Sequence, residues 1–151
     1  TADQRIPLLC EIPARLRFLS MEPLLEQVQI GDEYMPRPNA GHVWADCLCD
    51  EIDRDGIGWV IVGGESGSAE TSRPCYGSSI GDVVDQCNGA GVPCFVKQLG
   101  SRHFDSIRGV VGAKEPLDED FGLYRRLKHP AGADPSEWPV AYPQQFPQVR
   151  P

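Results

Sequence analysis

The sequence predicts an α/β fold with parallel strands and crossover helices. Three observations point to it. β-Rich apolar segments near residues 16–20, 58–63 and 93–98 each stop at a polar tip. A segment with one apolar helical face separates the last two. Helix and strand alternate through the first 100 residues, the pattern of parallel βα units with right-handed crossovers. Residues 101–151 are expected to form an irregular, proline-rich tail.

Residues 2–12 read as a helix, with Pro7 suited to its first turn, where the missing N–H costs little. Pro13 ends it, and Leu16–Ser20 is the first strand. Residues 31–57 mix Gly, Pro, Asn, Asp and Glu with little periodicity. They read as an insertion, within which Val43–Ile52 allows a short helix. Gly58–Val62 is the second strand, and its unbroken apolar run predicts burial on both faces. Ile80, Val83, Val84 and Cys87 repeat at i, i+3, i+4 and i+7, which places one apolar stripe on a helix over 79–88. Ser79 with Asp82 resembles a capping box, and Gly89-Ala90-Gly91 supplies the stop. Pro93–Val96 opens the third strand.

Composition narrows the function classes. The net charge is −8, which disfavours a strong nucleic-acid surface, since phosphate neutralisation needs clustered Lys and Arg. Arg125, Arg126, Lys128 and His129 form the one dense basic group, and a solvated face is its ordinary reading. No apolar run reaches the length of a membrane-spanning helix. The cysteines at 10, 47, 49, 75, 87 and 94 form no CxxC pair. Cys10, Cys87 and Cys94 fall in apolar or amphipathic segments, as small hydrophobes do. Cys47 and Cys49 form a lone CxC, a weak metal signal. Reduced thiols and a cytoplasmic location are expected. The tail aromatics Phe104, Phe121, Tyr124, Trp138, Tyr142 and Phe146 are expected to pin the tail to the domain.

The chemistry sits at the strand ends. In parallel α/β folds, polar residues just past the C-terminal ends of strands form the ligand site. Here the tips carry Ser20 and Glu22, then Gly63, Gly64 and Glu65, then Lys97 and Gln98. Glu22 and Glu65 are suited to acid/base work or to gripping ribose hydroxyls, or else each orders its own loop. Lys97 is expected to pair with Glu65 or with a ligand carboxylate. Gly63-Gly64 is not GxGxxG, and no GK[ST] follows, so dinucleotide and P-loop binding have no support. His42, His103 and His129 share no metal or triad spacing. Gly64-Glu65-Ser66-Gly67 lacks the GxSxG elbow, which leaves an α/β hydrolase as a minor alternative.

A family resemblance adds to this reading. Asp3-Gln4-Arg5-Ile6-Pro7, Arg17-Phe18-Leu19-Ser20-Met21-Glu22-Pro23-Leu24-Leu25 and Trp59-Val60-Ile61-Val62-Gly63-Gly64-Glu65-Ser66-Gly67 come in the family's order. Arg73-Pro74, Asp85-Gln86-Cys87, Gly91-Val92-Pro93 and Phe95-Val96-Lys97-Gln98 follow. Together they resemble the C-terminal half of the phage gp-thirty-seven/gp-sixty-eight family, a domain of unknown function.

The resemblance implies a radical-SAM-like (β/α) barrel, of which residues 1–100 supply the C-terminal part. It implies S-adenosylmethionine across the strand ends and a 4Fe–4S cluster in the intact protein, with an N-terminal half of the same barrel as partner. The family's three-cysteine motif is absent here, and its Ser-Cys-Glu-Pro reads Ser20-Met21-Glu22-Pro23. The chain alone is therefore expected to hold no cluster or other metal. With Thr1 as first residue it reads as a fragment of a longer protein. Its substrate, small or macromolecular, is left open. The alternative to an enzyme is a binding or interaction module that lacks the cluster half.

Overall fold

A computed structural model describes residues 2–30, 48, 56–106, 117–118 and 122–148. The expected helix at Val43–Ile52 and most of the insertion at 31–57 lie outside them, as do His42, Cys47, Cys49 and Phe121.

Helix α1 spans Ala2–Cys10, β1 Phe18–Met21, β2 Trp59–Gly63, β3 Cys75–Tyr76, α2 Gly77–Ala90 and β4 Cys94–Gln98. Three further strands follow: β5 at His103–Ser106, β6 at Leu117–Asp118 and β7 at Gly122–Arg125. A 3₁₀ turn covers Pro135–Glu137.

The three expected strands form one parallel sheet in the order β1-β2-β4. β1 begins two residues later than expected and runs to Met21. Helix α2 packs against β2 and β4. Val60, Val62, Cys94 and Val96 on the strands are fully buried, as are Ile80, Val83 and Cys87 on the helix. Burying each such aliphatic side chain contributes roughly 1.5–3 kcal/mol, so this layer is the main core. The expectation that β2 is buried on both faces does not hold. Its burial alternates, with Trp59 and Ile61 only half-buried. The cause is one-sided cover: α2 closes one face, while among the described residues the other face carries Phe18, Trp59, Ile61 and Phe95, topped only by Phe146.

Two helix expectations are corrected. Pro7 lies inside α1 rather than in its first turn. One missing backbone bond is tolerable in so short a helix, and the Pro7 carbonyl still accepts from Glu11 N–H at 3.2 Å. Ser79 does not cap α2. The helix starts at Gly77 with Tyr76 as N-cap and no side-chain cap bond, and Ser79 is buried in the first turn. β3 runs straight into α2, so pairing of β3 with β5 sets the helix start. The C-terminal stop is as read: Gly91 is left-handed at φ 71°, a conformation glycine adopts without a Cβ penalty.

The described residues of 101–125 are not an irregular tail, since 103–106, 117–118 and 122–125 are strands. β3, β5, β7 and β6 form a second, mixed sheet, with β3–β5 parallel and β5–β7 and β7–β6 antiparallel. Strands of two to four residues are too short to show alternation in the sequence. The two sheets are open among the described residues, and no barrel closes. The tail aromatics do pin the chain down. Trp138 is buried and donates to Gly132 O at 2.9 Å. Tyr142 donates to Gly77 O at 3.2 Å.

No described helix is long and apolar enough to cross a membrane.

Candidate functional site

The C-terminal ends of β1, β2 and β4 form one rim, because the sheet is parallel and its register aligns Met21 with Val62 and Val62 with Val96. All seven strand-tip residues lie on it or just past it.

Glu22 and Lys97 meet across this rim. Lys97 Nζ donates to Glu22 Oε2 at 3.0 Å. Glu22 follows β1 and Lys97 lies in β4, and β2 separates those strands by roughly 10 Å of sheet. The pair must therefore cross over β2, and it crosses at Gly63. A Cβ on Gly63 would lie 2.9 Å from Glu22 Oε1. The glycine is what leaves the carboxylate room. Glu22 Oε1 is buried there without a hydrogen-bond partner, whereas Lys97 is half-exposed. The expected Lys97–Glu65 pair does not form. Ser20 is exposed one residue before the end of β1.

Gly64 is required for a different reason. A Cβ there would sit 2.4 Å from Leu99 O and 2.8 Å from Gly100 Cα. The two loops touch backbone to backbone. Gly64 N–H donates to Gln98 O at 3.0 Å, and Gln98 Nε2 donates to Gly64 O at 2.8 Å. Ser101 N–H donates to Glu65 O at 2.8 Å. A third loop seals this seam: Leu99 N–H donates to Gly132 O at 2.9 Å and Gly100 N–H to Ala131 O at 3.1 Å.

Glu65 serves its own loop. Its carboxylate accepts from Arg73 N–H at 2.7 Å, from Nε at 3.1 Å and from Nη2 at 2.8 Å. The Arg73 side chain, then its backbone N–H, hold the Glu65 carboxyl down to about 2. Of the two roles open to Glu65, the observed contacts are those of loop ordering. Sequence reasoning missed the Arg73 clamp and the His129–Ala133 loop behind the rim. Arg73-Pro74 is itself among the motifs quoted above, and the loop's signal is Gly132, left-handed at φ 62°, where a Cβ would lie 2.8 Å from Gly100 O.

A second polar cluster lies in the mixed sheet. His103 is fully buried, with Nε2 3.3 Å from Asp105 Oδ1. Arg125 Nε donates to Asp105 Oδ2 at 2.6 Å. The His103–Asp105 approach lacks hydrogen-bond direction, so both imidazole nitrogens and Asp105 Oδ1 have no hydrogen-bond partner. Burial disfavours the charged carboxylate of Asp105. The neighbouring His103 and Arg125 outweigh it and hold the carboxyl below its usual value.

His129 Nδ1 accepts from Ala131 and Ala133 N–H at 3.2 Å each. His103 is buried in the mixed sheet and His129 serves its own loop, so the hydrolase alternative gains no support. Cys75, Cys87 and Cys94 are core thiols, and burial pushes the Cys75 thiol up to about 12. Among the described residues no three His, Cys, Asp or Glu side chains converge as metal ligands.

No curated protein and no solved structure matches the chain. A family model described as a protein of unknown function, DUF5131, matches residues 1–134, a span that takes in the whole rim and both sheets. The chain belongs to that family.

Proposed function

We infer that the rim around Glu22, Gly63, Gly64, Lys97 and Gln98 binds a small polar ligand, and that the chain is the C-terminal part of a radical-SAM-like enzyme. The observation that carries the ligand site is Glu22 Oε1. A buried carboxylate oxygen without a donor costs free energy, and such groups are rarely left so unless a ligand or water supplies the partner. It lies next to a half-exposed ammonium at the C-terminal end of a parallel sheet, where such folds place ligands.

S-adenosylmethionine fits this donor set. Lys97 would take its carboxylate, and Glu22 would take its ammonium or a ribose hydroxyl. Gly63 and Gly64 would let the ligand approach backbone. When bound, the group supplies a sulfonium-activated adenosyl or methyl carbon. This chain's residues orient and hold it. A 4Fe–4S cluster does not fit the described residues, among which no three cysteines converge. No step is assigned to it.

Isothermal titration with S-adenosylmethionine and with S-adenosylhomocysteine tests the reading. Saturable binding is expected, weakened about tenfold or more in Glu22→Gln and Lys97→Ala, the scale of one charge-assisted hydrogen bond. Equal affinity in the wild type and both variants would move the ligand off this rim. The second reading is a non-catalytic binding module. Binding without turnover in iron-reconstituted intact protein would select it.

A further inference from the structure

The segment Pro143–Phe146 runs antiparallel along the outer edge of β4, with Gln144 opposite Phe95. A regular ladder at this point would need four backbone bonds, two on each side of that pair. Two are made: Val96 N–H donates to Pro143 O and Gln145 N–H to Cys94 O, both at 2.9 Å. The other two are unavailable. Pro143 has no N–H to give Val96 O, and the Gln145 carbonyl is taken by Trp59 Nε1 at 3.1 Å.

Glutamine side chains replace both. Gln144 Nε2 reaches Val96 O at 3.4 Å, and Gln145 Oε1 accepts from Cys94 N–H at 3.2 Å. Phe146 then lies against Trp59 and Phe95, with ring centroids 5.7 and 5.0 Å away. Pro147 has no N–H with which to carry the ladder on.

We propose that Pro143–Phe146 is an edge cap: a four-residue strap that satisfies the outer edge of β4, opens with Pro143 and is followed by Pro147, and thereby stops that edge from pairing with another chain. An uncapped parallel edge is a template for association. The strap leaves β1 as the one open edge of the parallel sheet among the described residues. Any strand that adds to this sheet is thus directed to β1. The inference does not depend on what binds at the rim.

The test is hydrogen exchange with sedimentation velocity on three proteins: the full chain, a chain ending at Tyr142, and Gln144→Ala/Gln145→Ala. In the shortened chain the Cys94 and Val96 amides should exchange about tenfold faster or more, and in the double variant the Cys94 amide, which loses its Gln145 Oε1 acceptor, should do the same, the scale of a lost hydrogen bond at a structured edge. The shortened chain should associate more strongly than the full chain. A free peptide of residues 141–148 should reverse that association and restore protection at Val96. Should the shortened chain not fold, the double variant still decides through exchange at Cys94. Unchanged protection at Cys94 in the double variant, or a shortened chain no more associated than the full one, overturns the proposal.

Discussion

The parallel and the mixed sheet are held together by different physics. In the parallel sheet, strand and helix residues on one side are fully buried aliphatics and thiols, and the polar chemistry is confined to the strand ends. In the mixed sheet a buried histidine and a nearly buried aspartate sit within the strands themselves. It also carries a run of rings, Tyr76 to Phe104 to Tyr124, with centroids 5.5 Å apart at each step. Arg102 lies 5.6 Å over the Phe104 ring. The difference teaches where each sheet is vulnerable. The core of the first is sensitive to shape. The second depends on a carboxylate keeping its charge.

The largest effect is expected where backbone meets backbone. Gly64→Ala puts a methyl 2.4 Å from Leu99 O, an atom with no freedom to move aside. A loss of about 3 kcal/mol is expected in urea unfolding, the upper range for overpacking. Gly63→Ala meets a side-chain oxygen of Glu22 instead. It should cost less stability and displace Glu22 from Lys97. Equal losses at the two positions would mean that the seam yields as easily as a side chain, and the parallel sheet would lose its claim to rigidity.

A smaller effect, and a different pH signature, is expected in the mixed sheet. Asp105→Asn keeps the shape and removes the charge that Arg125 and His103 face. A loss of about 1–3 kcal/mol at neutral pH is expected for a hydrogen bond to a charged group. The sign with pH follows from the lowered carboxyl. A depressed pKa contributes stability that is present above the unfolded value and lost as pH falls through the folded one. The wild type should therefore lose its advantage over Asp105→Asn as pH drops below the ordinary carboxylate range. Glu65 behaves alike: its contribution is complete above about 4.5 and disappears toward about 2. Thermal unfolding of Asp105→Asn and Glu65→Gln from neutral to acid pH checks both. A gap between wild type and variant that widens in acid would contradict the assignment.

The same contrast governs what could be read from sequence. The parallel sheet announced itself because its strands are bounded by Gly, Pro and charged tips, and because Ile80, Val83, Val84 and Cys87 keep helical spacing. The rim residues followed from parallel topology alone. Their pairing did not, since Lys97 reaches Glu22 only because Gly63 lacks a side chain, and Glu65 turns away because Arg73 lies eight residues on. The mixed sheet was illegible. β3 has two residues, and β5 carries a histidine and an aspartate where a strand in a sheet core is expected to be apolar. The proline spacing of the tail was read as disorder of pattern. In the strap Pro143 stands where a ladder donor to Val96 O would otherwise be, and Pro147 follows where the ladder would continue.

The smallest effect has the opposite sign. Gly81 lies inside α2, and a Cβ built on it meets nothing within 4 Å. Its φ is not in the left-handed region. Alanine there removes backbone freedom from the unfolded chain and meets no obstacle in the folded one. Gly81→Ala should stabilise by roughly 0.5–1 kcal/mol, seen as a higher urea midpoint with unchanged slope. The substitution at Gly64 is chemically identical and should destabilise severalfold more than this one stabilises. The pair isolates close approach from conformational entropy within one sheet-and-helix layer. If Gly81→Ala were neutral, the helix would already be ordered in the unfolded ensemble. If it destabilised, α2 would need its glycine for an approach by residues outside those described, and the open flank of the helix would be a contact surface.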